Sequence, residues 1–213
     1  MDNTGKLVLF GTVALAVLFI RRAVGGSAAP IKETTLERQV MRHRRLIWEA
    51  GLKHDVDPAL IAAIMAVESS GIHQGARQIV VTDYTGMMSV DYVVGLMQIR
   101  LDTASAYCQI PDAITLELDA INVDCGVKYL RAMIDRFFYQ GGIPDAVSAY
   151  NAGPGNVRPG GPSMVGGMQY VNLSYIRRVL GMVARFRLLF MGSQGAAVYM
   201  QQFPGNKWRF EIP

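Results

Sequence analysis

Cysteine is nearly missing from this chain of 213 residues. The two present, Cys108 and Cys125, are too few for a disulfide scaffold, and their spacing is not that of a zinc site or a redox pair. They stand either as one bridge in an exported domain or as two separate buried thiols, and the compartment decides between these. Histidine is almost as scarce, and His43 has no zinc partner in view, so no metal is expected. Charge is thin too. Charged residues make up 18% of the chain against 51% hydrophobic, which excludes a disordered polyelectrolyte and is slightly rich for a soluble globule. The net charge of +4 suits an anionic neighbour. No nucleic-acid module signature accompanies it, so nucleic acid is not an expected partner.

Long apolar runs are also rare, and the one present is at the start. Leu7 to Ile20 carries no charge and is bounded by Lys6 and by Arg21 and Arg22. As a helix its roughly 14 residues span about 21 Å against a hydrocarbon core of about 30 Å. Crossing a bilayer therefore takes Ala23 and Val24 as well, with the arginines snorkelling. Residues 1–24 read as a short transmembrane anchor, with lipid as a partner, and residues 25–33 as a linker. Ser27-Ala28-Ala29 would suit a signal-peptide cleavage point, but Arg21 and Arg22 lie between it and the apolar run, which argues against cleavage. By the positive-inside rule those arginines outweigh Lys6 and leave the rest of the chain in the cytoplasm.

Beyond the linker, helical signals dominate. Thr34 and Glu37 have capping-box spacing, and Leu36, Val40, Ile47 and Ala50 recur at helical intervals, predicting a helix from Thr35 to Lys53. Its Arg42, His43, Arg44 and Arg45 read as a solvated basic face. Asp57-Pro58 is an N-cap and first-turn pair ahead of a buried helix from Ala59 to Val67. Thr82 to Val94 holds either a small hairpin or an irregular loop. Asp119 to Phe138 is a further amphipathic helix, closed by Gly141, Gly142 and Pro144. A loop rich in glycine and proline runs from Gly153 to Gly167, and a last helix from about Tyr170 to Phe190. The expected class is all-α with at most a small β-hairpin, one domain over 34–190, and a C-terminal tail over 191–213 without clear period.

Glu68 is out of place in this pattern. A carboxylate ending an almost continuous apolar helix is disfavoured as an anion twice, by desolvation and by the negative end of the helix dipole, so its pKa should rise. A carboxyl still protonated near neutral pH can donate to a leaving glycosidic oxygen. Taken alone, it is better read as a solvated helix-end glutamate.

Four ordered blocks change that balance: Glu68-Ser69; Gly95-Leu96-Met97-Gln98-Ile99 followed by Thr103-Ala104; Asn122 to Leu130; and Ala149-Tyr150-Asn151-Ala152-Gly153. Together they resemble the soluble lytic transglycosylase family, from about Leu46 to Met182. The resemblance implies a lysozyme-like fold and peptidoglycan glycan strands as substrate, with no cofactor. It assigns Glu68 as the catalytic acid/base and Ser69 as the neighbour orienting substrate or glutamate. Met97 and Gln98 become groove residues, Tyr150 and Asn151 the polar pair near the cleavage site, and Tyr175 the tyrosine bonded to the glutamate. The implied reaction cuts between N-acetylmuramic acid and N-acetylglucosamine and closes a 1,6-anhydro ring on the muramyl sugar.

The chain departs from the family form in three places. Leu101 stands where a proline is usual, the stretch from Glu68 to Gly95 is longer, and the glycine-rich segment after Asn151 leaves Tyr170 competing with Tyr175 for one role, with Tyr175 preferred for the Arg-Val-Leu context that follows it. The longer stretch adds Asp83 and Asp91, with Asp102 beyond it. One of these about 6.5–9.5 Å across the groove from Glu68 would give a water-activating hydrolase resembling goose-type lysozyme. A membrane-anchored component that grips the wall without cutting it is the other reading. For location, two settings are open: a virion protein delivered to the wall during infection, or an envelope enzyme of a secretion or conjugation system, each bringing its own protein partners.

Overall fold

The computed structural model describes residues 32–82, 86–139, 141–157 and 172–203. The expected anchor at 1–24, most of the linker, Asp83 and Tyr170 lie outside the described residues. Among the described residues no helix is long and apolar enough to cross a membrane.

Helix α1, Thr35–Met41, opens on the capping box: Glu37 N donates to Thr34 Oγ1 at 3.2 Å, and Thr34 N donates to Glu37 Oε2 at 2.8 Å. The single helix expected to run on to Lys53 is broken, and α2 spans Arg44–His54. His43 causes the break. Its backbone leaves helical geometry at φ −92°, ψ 10°, and its ring Nε2 bonds the Gly71 carbonyl at 3.0 Å. A side chain at Gly71, whose φ is +69°, would place its Cβ 2.7 Å from Val40 N, so only glycine allows this approach. His43 therefore leaves the basic face assigned to it, while Arg42, Arg44 and Arg45 remain exposed.

Helix α3, Pro58–Glu68, is buried at every position from Pro58 to Ala66, as a helix apolar all round must be. The region left open between hairpin and loop is a hairpin, and it starts earlier than expected. Strands β1, Arg77–Thr82, and β2, Met88–Val94, pair antiparallel with Val80 opposite Val90, and β3, Ile99–Arg100, adds to β2 through Val94 opposite Ile99. Helices α4, Leu101–Cys108, α5, Ala113–Leu116, α6, Asp119–Phe137, and α7, Gly142–Ala152, follow, with a 3-10 turn at Pro154–Asn156. Cys108 and Cys125 form a disulfide, Cα–Cα 5.7 Å, tying the end of α4 to α6.

Helix α8, Leu173–Gln194, lies along α3, and α6 packs against α2, α4 and α7. The boundary drawn at 190 falls inside α8, and α9, Ala196–Gln202, follows it with Tyr199 and Phe203 buried. Asp57 anchors this end, since its carboxylate accepts from Ala59 N at 2.8 Å, from the Tyr199 hydroxyl and from Arg187. Among the described residues of the tail, Tyr199 and Phe203 dock it against the domain. The described whole is mostly helical with one three-stranded sheet, which fits the lysozyme-like expectation.

Candidate active site

Glu68 closes α3 at the edge of the core, half-buried, with its side chain in a groove of about 350 Å³. Burial raises its pKa to about 7, against the lowering effects of a hydrogen bond from Tyr175 and the nearby charge of Arg178. The Tyr175 hydroxyl donates to Glu68 Oε1 at 2.5 Å. With Oε1 already accepting from Tyr175, Oε2 is the oxygen left to carry a transferable proton.

Beneath the groove runs a tight turn through Gly95, Leu96, Met97 and Gln98, of which Gln98 lines the groove. Gln98 takes a left-handed backbone, φ +47°, an uncommon conformation for a residue with a Cβ. Its amide Nε2 donates to Gly95 O at 2.7 Å, which braces the turn. Three side chains hold this turn from behind. Ser69 Oγ donates to Leu96 O at 2.7 Å, Tyr150 Oη donates to Met97 O at 2.9 Å, and Met97 N donates to Asn122 Oδ1 at 2.8 Å.

The residues expected at the site thus divide. Glu68, Gln98, Tyr150 and Asn151 line the groove. Tyr175 reaches it through Glu68. Ser69 and Met97 do not line it: Ser69 is buried with its hydroxyl on Leu96 and Met65 carbonyls, and the Met97 side chain is fully buried. Their contribution runs through backbone placement. Asn151 Oδ1 accepts from Asn172 Nδ2 at 2.9 Å, and Asn172 also exchanges hydrogen bonds with Ser148, which clasps the start of α8 to the end of α7. Of the three aspartates considered, Asp91 and Asp102 are both engaged by Arg100. Burial of Asp91 works to raise its pKa, but hydrogen bonds from Arg100 and the Tyr92 backbone outweigh it, so the pKa is lowered. Among the described lining residues Glu68 is the one acid. No group of three or more His, Cys, Asp or Glu among the described residues is placed to hold a metal ion.

Residues 45–161 match the family model of the transglycosylase SLT domain. This chain belongs to that family. The SLT domain sets the class of chemistry, a lytic transglycosylase-type cleavage of peptidoglycan.

Two supports of this SLT domain were not singled out from the sequence. Asn122 is fully buried, and besides holding Met97 N it donates Nδ2 to Val94 O at 2.9 Å and Leu116 O at 3.2 Å. The signal was an amide between Ile121 and Val123 on a helix whose face is otherwise apolar. Gly126, one turn on, lets the turn approach: a Cβ there would lie 2.7 Å from Met97 Cβ and 3.2 Å from Tyr150 Oη. Tyr129 completes the wall, its ring 5.3 Å from that of Tyr150 and its hydroxyl on Ala149 O at 3.3 Å.

Proposed function

We propose that the chain cuts the β-1,4 bond between N-acetylmuramic acid and N-acetylglucosamine with Glu68 as sole acid/base, releasing a 1,6-anhydromuramyl end. The observation that carries this reading is a groove whose one described acid titrates near neutrality. In the first step Glu68 Oε2 gives its proton to the bridging oxygen, and the glycosidic bond breaks toward an oxocarbenium-like state. The carboxylate so formed then takes the proton of the muramyl C6 hydroxyl, whose oxygen bonds C1 of the same sugar. Glu68 returns to its acid form and no water is consumed. Tethered attack of this kind reaches effective molarities of about 10⁵ M or more, which removes the need for an enzyme nucleophile. Retention of Asp91 and Asp102 by Arg100 favours this route over a water-activating second carboxylate.

The setting we favour is local opening of the wall from a membrane-anchored position, residues 1–24 being the anchor, either on a virion during infection or in an envelope-spanning secretion system. The Cys108–Cys125 bridge supports an oxidising compartment for the domain. Mass spectrometry of muropeptides released by the purified chain tests the chemistry. Anhydro ends are the expected product, and reducing muramyl ends would replace the lyase with a hydrolase. Finding the chain only in the cytosol, and in neither virions nor envelope fractions, would count against both settings.

A further inference from the structure

Two arginines line the groove beside Glu68, and they differ in what holds them. Arg100 is engaged by carboxylates, Nε on Asp91 at 2.8 Å and Nη2 on Asp102. Arg77, the first residue of β1, is exposed, and among the described residues no acid lies within ion-pair distance of it. Its cross-strand partner is Val93, which with Ile79 forms an aliphatic stretch of the same wall. Glu68, protonated to about pH 7, does little to neutralise it.

A guanidinium offered to a groove without a carboxylate of its own is matched by a carboxylate on the substrate, which it can engage through two parallel N–H donors. Alternating glycan sugars are neutral, so in peptidoglycan that group hangs from the lactyl arm of the muramyl residue, either as the free lactyl acid or as a carboxylate of the attached peptide. We propose that Arg77 is a specificity residue that binds this muramyl-borne carboxylate and sets the strand in the groove. The assignment rests on the glycan-cleaving reading above.

The test compares binding, so that it does not depend on turnover. Full-length Glu68→Gln protein is titrated with fluorescently labelled glycan strands of three kinds: native, carbodiimide-amidated so that no carboxylate remains, and amidase-stripped so that only lactyl acids remain. Native strands are expected to bind roughly tenfold more tightly than amidated ones, the size of one charge-assisted contact. Adding Arg77→Gln should erase that preference, and Arg77→Lys should keep part of it because the charge stays. Stripped strands that bind like native ones identify the lactyl acid, and stripped strands that bind like amidated ones identify the peptide. A native-over-amidated preference that survives Arg77→Gln, or no preference in the parent protein, overturns the proposal. Failure of the unsubstituted chain to release muropeptides would instead sink the cleavage reading and leave this comparison standing on its own.

Discussion

Tyr175 and Glu68 stand 107 residues apart in the chain and meet through a 2.5 Å hydrogen bond from phenol to carboxylate. The contact joins α8 to the end of α3, the two helices most extensively packed on one another. It leaves one carboxylate oxygen for proton transfer and opposes the effect of burial on the acid. Glu68 thereby sits near neutrality, where a group can both give and take a proton.

Replacing Glu68 by Gln removes the proton donor and should cut peptidoglycan clearing by about 10²–10⁴-fold. The same change alters stability in a defined direction. Since the folded pKa of about 7 lies above the ordinary glutamate value of 4.5, folding takes up a proton between these values and stability falls as pH rises through that window. Well above pH 7 the half-buried anion carries the full cost, on the order of 3 kcal/mol. Thermal melts should show Glu68→Gln several degrees more stable than the parent at pH 8 and the two converging near pH 4.5. A constant difference across pH would contradict this.

The activity profile should lose its alkaline side as pH rises through about 7, where Glu68 gives up its proton. Tyr175 and Arg178 both favour the anion, one by hydrogen bonding and the other by charge. Tyr175→Phe and Arg178→Ala should therefore each move that limb to higher pH, read from initial rates on labelled strands. Movement to lower pH would reverse the assigned electrostatics.

Asn122→Ala strands Met97 N–H and the Val94 and Leu116 carbonyls, and should cost about 2–4 kcal/mol. Gly126→Ala drives a methyl toward Met97 Cβ and should cost about 1–3 kcal/mol. Denaturant titration measures both. Each variant should also lose activity out of proportion to its stability, because the turn bearing Gln98 rests on these two residues.

Reduction of the Cys108–Cys125 bridge opens a loop with a sequence separation of 17, worth about 3 kcal/mol in chain entropy. Melts with and without reductant should differ by that order, and a non-reducing peptide map should show the linked pair. Identical melts, with two free thiols by alkylation, would remove the bridge from the account.

Much of the frame is legible in the sequence. The Thr34–Glu37 box and the Asp57–Pro58 start are written within four residues each, and both caps form. Helix α6 follows its apolar face to Phe137. The break at His43 was not readable, because its cause is the carbonyl of Gly71, 28 residues away. The inward turn of Ser69 and Met97 escaped for a similar reason, since a family motif names residues without saying which way their side chains face.

What the sequence alone determined is local and chemical: which segments are helical, and that one acid ends an apolar helix. Tertiary structure alone decided that Asn122 supports the turn and that Arg77 lines the groove, and it set the 2.5 Å bond between Tyr175 and the acid. The physical reason is range. Capping and periodicity are set within a turn or two of chain, whereas a buried hydrogen bond between distant residues exists only once the rigid packing of α3, α6 and α8 brings its two ends together.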